Sequence, residues 1–230
     1  MKIIGHRGAA GTELENTLAS LQTAIDMGVY AIELDVRKTK DNQLVVCHDA
    51  DLGRIADDKR RIADLSLKAI QKIPLLSGAN VPTLAEALEV IGEKPVFIEL
   101  KDGGCGQLLL AVLADFPKAR VQIASFDLDE LAALREQAPS LILYGLERTK
   151  PFDIIHLAKQ LRLDGVGLNY WLLNPLTYWL SKRAGLGLYV YTVNRPFQAA
   201  FLGKLYPDVA ICTDYPERFI AGRHRRPKAL

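Results

Sequence analysis

Eight short aliphatic runs alternate with amphipathic stretches along the chain, and this alternation restricts the fold more than any other feature. The runs are residues 3–5, 31–36, 96–100, 121–125, 141–145, 165–168, 188–193 and 209–212. Helical spacing of apolar residues recurs between them, over 17–27, 84–91, 107–115, 127–137, 153–161, 175–184 and 196–204, with a last short segment near 216–221. Several segments carry start signals. Thr83 and Glu86 have the spacing of a capping box. Asp127 precedes Leu128 as an N-cap, and Pro175 and Pro196 stand at first-turn positions. Strand–helix alternation predicts an α/β fold with a parallel sheet. A doubly wound open sheet alternates in the same way. The count of eight, and the position of the reactive residues at strand ends, favour a TIM (β/α)8 barrel.

One segment breaks the alternation. Residues 43–48 also read as a strand, and Lys40-Asp41-Asn42 is a plausible turn before it. A hairpin folded about position 41 would be antiparallel and would return His48 to the level of Leu34. Residues 49–82 then form a small insertion after the second barrel strand. It is rich in charge, with Arg54, Asp57, Asp58, Lys59, Arg60 and Arg61, and is expected over the barrel mouth. The expected organisation is one domain over 1–222, followed by a basic tail over 223–230.

Reactive side chains fall where the aliphatic runs end. Glu33 and Asp35 are two apart on a strand and share a face, with Ile32, Leu34 and Val36 on the other. A barrel strand is covered on both sides, so two carboxylates there are costly unless paired or metal-bound. Taken alone, they also fit a half-exposed antiparallel strand. Glu99-Leu100-Lys101 repeats the pattern, and by itself it fits a local ion pair. Together Glu33, Asp35 and Glu99 make an oxygen-ligand site for a hard divalent cation, Mg2+ or Ca2+. His6 and His48 follow strands and have the side chain best suited to proton transfer near neutrality; each could instead be a packing residue. Arg7 and Lys101 are the cations expected for a phosphate. Gly8 permits a tight turn beside them. Glu15 is placed to hold Arg7, and Asn16 is expected to cap the first helix. His156 and His224 are assigned to structure or solvent. Two histidines, three acids and two cations are the parts needed to cut a phosphodiester.

The rest of the sequence excludes more than it adds. The net charge of +2 gives no global field for nucleic acid. Cys47, Cys105 and Cys212 are odd in number and lack metal-type spacing, so neither a disulfide framework nor a soft-metal site is expected. No run reaches the length of a membrane span, and no signal peptide fits ahead of His6. A cytoplasmic location is expected. The tail Arg223-His224-Arg225-Arg226 with Lys228 reads as a solvated end, with a weak contact to anionic lipid or nucleic acid as the lesser reading. Tyr170-Trp171 and Tyr178-Trp179 are read as packing residues, a mouth or a dimer contact being the other options. Oligomeric state is left open.

The ordered set His6-Arg7-Gly8, Glu15-Asn16-Thr17, Glu33-Leu34-Asp35, His48-Asp49, Glu99-Leu100-Lys101, Thr192-Val193-Asn194 and Thr213-Asp214-Tyr215-Pro216 resembles the glycerophosphodiester phosphodiesterase family. The resemblance covers most of the chain. It implies a TIM barrel with the site at the C-terminal strand ends, and metal-dependent hydrolysis of a small glycerophosphodiester to glycerol 3-phosphate and an alcohol. It implies that His6 and His48 are the catalytic pair, that Glu33, Asp35 and Glu99 bind the cation, and that Arg7 and Lys101 hold the phosphate, with Glu15 at an acidic position of less defined role. The chain departs from the pattern at Leu14, where members usually have proline. It departs again at Tyr191, where many have tryptophan; its ring is expected to wall the substrate pocket. Two other functions stay open. One is lysophospholipase D-type hydrolysis at a membrane surface, and the other is a non-catalytic barrel that binds a phosphorylated ligand.

Overall fold

The computed structural model describes residues 1–220. In chain order the elements are β1 (Ile3–Gly5), α1 (Leu18–Met27), β2 (Ala31–Lys38), β3 (Leu44–Val46), β4 (Asp51–Leu52), α2 (Gly53–Ala56), β5 (Asp58–Arg61), α3 (Leu67–Ile70), α4 (Leu84–Ile91) and β6 (Val96–Leu100). They continue with α5 (Gly106–Ala114), β7 (Val121–Ser125), α6 (Leu128–Gln137), β8 (Ile142–Glu147), α7 (Pro151–Gln160), β9 (Gly165–Asn169), α8 (Pro175–Arg183), β10 (Gly187–Tyr191), α9 (Pro196–Leu205) and β11 (Ala210–Thr213). Strands β1, β2, β6, β7, β8, β9, β10 and β11 pair in that order, all parallel. Because β1 pairs with both β2 and β11, the sheet closes into a TIM barrel.

Each barrel strand is covered on both faces, which explains its aliphatic sequence. Ile32, Leu34, Val36, Val96, Ile98 and Leu100 are buried against the outer helices. The opposite faces of the same strands fill the barrel, with Ile4, Ala31, Phe97, Ala124, Tyr189 and Cys212. Rings do much of the filling: Phe97 lies edge-on to Tyr144 at 5.2 Å. Such bulk requires small residues opposite. A Cβ on Gly165 would come within 2.2 Å of the Tyr144 ring, so β9 carries glycine there. Capping follows the sequence signals. Thr83 and Glu86 close a capping box on α4, and Asp127 accepts from two amides of α6. Pro175 and Pro196 open α8 and α9.

The hairpin forms in the expected register. Val36, Arg37 and Lys38 pair antiparallel with Val46, Val45 and Leu44, and the Cys47 amide donates to the Asp35 carbonyl at 3.0 Å. The insertion contains the β4–β5 ribbon and the short helices α2 and α3. It has its own small core, including Leu52, Ile55, Ile62 and Ile70 packed on Val45 and Cys47. One expected element differs. The helix anticipated near 216–221 is a single 3-10 turn, Pro216–Arg218, which Pro216 initiates and which the described chain does not extend. The basic tail lies outside the described residues. Among those described, no helix is long and apolar enough to cross a membrane. All three cysteines are free and buried.

Candidate active site

The site lies at the C-terminal end of β1, β2 and β6. Glu33 and Asp35 point into the barrel from β2, level with Phe97 and Glu99 of β6. Glu33 and Asp35 are fully enclosed, and Glu99 is nearly so. One carboxylate oxygen from each can be chosen so that all lie within 4.8 Å of one another. Burial and the neighbouring Asp35 charge push the Glu33 carboxyl up to about 8. The same two causes raise Glu99. Asp35 goes the other way: burial opposes its charge, but Lys101 and Arg7 overcome that and hold it below the usual range. Glu33 Oε1 is buried and makes no hydrogen bond, and buried Asp35 Oδ1 has only the Lys101 ammonium beside it, at 3.2 Å. Such oxygens among crowded like charges fit an all-oxygen site for a hard divalent cation.

Two cations border the acids. Lys101 Nζ lies 2.5 Å from Glu99 Oε1 and 3.2 Å from Asp35 Oδ1. Arg7 Nε lies 3.2 Å from Asp35 Oδ2, and its Nη1 donates to Glu15 Oε1 at 2.8 Å. Arg7 sits in the left-handed region at φ 51°, and Gly8 follows at φ 84°. A Cβ on Gly8 would meet the Ser20 backbone at 2.5 Å, so glycine is needed for this turn. The turn also brings the Arg7 amide to Glu33 Oε2 at 2.9 Å. Glu15 takes a bidentate contact from Arg54 of the insertion, at 2.6 and 2.8 Å. Glu15 is offset by Arg54. A divalent cation among the three acids would displace the proton that Glu33 otherwise holds, and with Arg7 and Lys101 it would leave the site net positive.

Each histidine gives one ring nitrogen to an aspartate. His6 Nδ1 lies 2.6 Å from Asp214 Oδ1, and His6 Nε2 lies 3.9 Å from Glu33. Burial works to lower the His6 pKa, yet the Asp214 hydrogen bond and the Glu33 charge raise it overall. His48 Nδ1 lies 2.6 Å from Asp49 Oδ1. There burial prevails and the pKa falls. Arg37 holds the turn by donating to the His48 carbonyl at 2.8 Å and pairing with Asp102. Asn194 secures Asp214: its Nδ2 donates to Asp214 Oδ2 at 2.6 Å, and its Oδ1 accepts from the Asp214 amide.

The structure thus brings His6, Arg7, Glu15, Glu33, Asp35, His48, Glu99 and Lys101 to one place. A cleft of about 540 Å3 opens beside Glu99 and Lys101 and is lined by Phe126 and Glu147, and Tyr191 backs these two lining residues. Its hydroxyl donates to the Glu147 carbonyl at 2.9 Å, and its ring packs edge-on to Phe126. Asn16 does not cap α1. Thr17 does, accepting from the Ser20 amide at 3.2 Å. Asn16 instead sits at φ 56° and donates to Asp35 Oδ2 at 2.9 Å. The left-handed backbone turns its side chain inward. His156 is exposed on α7, and His224 lies outside the described residues. Half-buried Tyr178 packs against Tyr206 as expected, whereas Trp171 and Trp179 are 75% and 51% exposed and are not packing residues.

Residues 6–218 match the model of the Glycerophosphoryl diester phosphodiesterase family. The chain is 32% identical to a glycerophosphodiester phosphodiesterase of Caldanaerobacter subterraneus subsp. tengcongensis, over 95% of this chain and 96% of that one. It superposes on the phosphodiesterase of Oleispira antarctica in complex with the product sn-glycerol-3-phosphate, with a TM-score of 0.89 and 25% identity, covering 96% and 95% of the two chains. A shorter stretch is 36% identical to a lysophospholipase D of Rattus norvegicus, over 43% of this chain and 35% of that one.

Proposed function

Because the chain belongs to the glycerophosphoryl diester phosphodiesterase family, we propose that it releases glycerol 3-phosphate and an alcohol with His6 and His48 as the proton-transfer pair. Arg7 and Lys101 hold the phosphate, and Glu33, Asp35 and Glu99 hold one Mg2+ or Ca2+ ion. One observation carries this reading: two aspartate-anchored histidines converge on an acidic trio bordered by two cations. A bound divalent cation would supply positive charge to a non-bridging phosphate oxygen as negative charge grows there.

The protein's own groups do the rest. Asp214 and Asp49 each occupy an Nδ1, which leaves both Nε2 atoms for substrate. One histidine takes the proton of the attacking oxygen, and the other protonates the departing alkoxide, otherwise a poor leaving group. We favour the glycerol 2-hydroxyl as the attacking oxygen. Its attack on phosphorus expels the alcohol and leaves a cyclic phosphate, which water opens to glycerol 3-phosphate with the proton transfers reversed.

The test is release of glycerol 3-phosphate from glycerophosphocholine and glycerophosphoethanolamine with Mg2+, with Ca2+ and with a chelator. Release only with a metal is the expected result, and full activity in the chelator would remove the cation from the mechanism. An analogue without the 2-hydroxyl tests the internal route; turnover at the normal rate would exclude it.

A further inference from the structure

The mouth of the barrel has two unlike halves. The half formed after β1, β2 and β6, with the insertion, is ionic, as described above. The other half follows β7, β8, β9 and β10, and each of those strands is followed by an exposed aromatic residue. Phe126 comes directly after β7, Phe152 in the first turn of α7, Trp171 just after β9, and Phe197 in the first turn of α9. They are 37%, 47%, 75% and 66% exposed. Barrel topology places all four of these connections at the C-terminal face, around the entrance to the site. A groove of about 510 Å3 continues from this rim down the outer wall, between Trp171 on one side and Phe197 and Phe201 on the other. Four exposed aromatic rings around one opening, two of them lining a common groove, mark an interaction surface.

Charges sit between the rings. Arg148, Lys150 and Arg195 are exposed on the same connections, and Arg148 lies over the Phe126 ring at 4.4 Å. Acids more than match them. Asp127 is directed to the α6 amides and Glu147 to the amides of Arg148 and Thr149, and Asp129 and Asp153 stand in the first turns of α6 and α7. The rim is therefore aromatic and carries charge of both signs with no basic excess. That suits a surface which itself presents both a phosphate and an ammonium, as a phosphatidylcholine interface does, where Trp and Phe insert at headgroup level and Arg and Lys remain among the headgroups. A protein partner or a second copy seated on this rim would cover the entrance to the site. A fluid lipid surface leaves small diesters a way in and also presents single-chain ones.

We propose that the Phe126–Phe152–Trp171–Phe197 rim docks the mouth of the barrel onto zwitterionic lipid surfaces. The proposal concerns where the protein sits and does not depend on the reaction. Trp179 on α8 is the only other tryptophan, so a Trp179→Phe background makes Trp171 the reporter. With phosphatidylcholine vesicles, Trp171 emission is expected to shift to the blue and to be quenched by brominated acyl chains. Adding Phe152→Ser and Phe197→Ser should lower partitioning at least about tenfold, with glycerophosphocholine turnover unchanged. Failure of Trp171 to be quenched would overturn the proposal, as would partitioning that both serine substitutions leave intact. Binding confined to phosphatidylglycerol vesicles and indifferent to the aromatic substitutions would overturn it as simple electrostatic adsorption. A concentration-dependent dimer that the substitutions abolish, without vesicle binding, would reassign the rim to self-association.

Discussion

Asp214→Asn is the sharpest perturbation of the site, because it removes one charge and almost no volume. The carboxylate stands 2.6 Å from His6 Nδ1 and accepts from Asn194 Nδ2 at 2.6 Å. In the variant, the amide oxygen must face Asn194, which leaves the NH2 facing His6. Nδ1 then has to accept, so the neutral ring carries its proton on Nε2 and that nitrogen can no longer take one. A wrong-tautomer change of this kind lowers kcat by up to about 10⁴ in a related constellation. Partial retention through the other groups gives an expected loss in kcat/KM of about 10²–10⁴-fold, or about 2.7–5.4 kcal/mol. The pH profile supplies a second readout. The hydrogen bond and charge of Asp214 help raise the His6 pKa, so their loss moves the limb that reports His6 to lower pH, whether His6 is acid or base. The assay is glycerol 3-phosphate release from glycerophosphocholine across pH at saturating metal, with a thermal melt to verify folding. A folded variant with normal kcat/KM and an unmoved limb would refute the assignment of His6 and its partner.

Three further outcomes follow from the geometry. With a chelator present, stability should fall as pH rises from about 4.5 to about 8, because folded Glu33 holds its proton up to about 8 and must then ionise in a buried acidic cluster. Saturating Mg2+ or Ca2+ should reverse the fall and Glu33→Gln should flatten it, as read by thermal shift; a pH-independent melt of the wild-type protein in chelator would contradict this. Asn16→Ala should cost at least about tenfold in activity by releasing Asp35, whereas Thr17→Ala should cost about 1 kcal/mol of stability and leave turnover alone; equal activity in the two variants would show that Asp35 works without its Asn16 tether. His48→Ala should lower turnover by roughly 10²–10⁴-fold, and full activity in that variant would remove His48 from the mechanism.

Much of this arrangement can be read from the sequence because a parallel barrel writes itself plainly. Its strands are buried on both faces, so they read as aliphatic runs, and a carboxylate inside one is conspicuous. Glu33, Asp35 and Glu99 stand out for that reason. The return of His48 to the level of Leu34 needed only a turn centred on residue 41. Asn16 was hidden by ambiguity of type: the same side chain caps helices and ties down carboxylates. What separates the two roles is a left-handed backbone that no local pattern announces. Phe126, Phe152, Trp171 and Phe197 are spaced too irregularly to read as a set, and only the ring of strands makes them neighbours.

Asp214 is different, because it lies 208 residues from His6 yet topology alone implies their contact. Once eight parallel strands are accepted as closed, the last must lie beside the first. Residues just past their C-terminal ends must then be adjacent at the mouth. Gly5 of β1 is level with Thr213 of β11, so His6 and Asp214 are each one step beyond a paired position. A histidine after the first strand and an aspartate after the last are brought together by barrel closure itself. The same closure makes the His6 pair sensitive to any loosening of the β1–β11 seam, whereas the His48–Asp49 pair is adjacent in sequence and is held by the hairpin, by Arg37 and by Arg54 of the insertion.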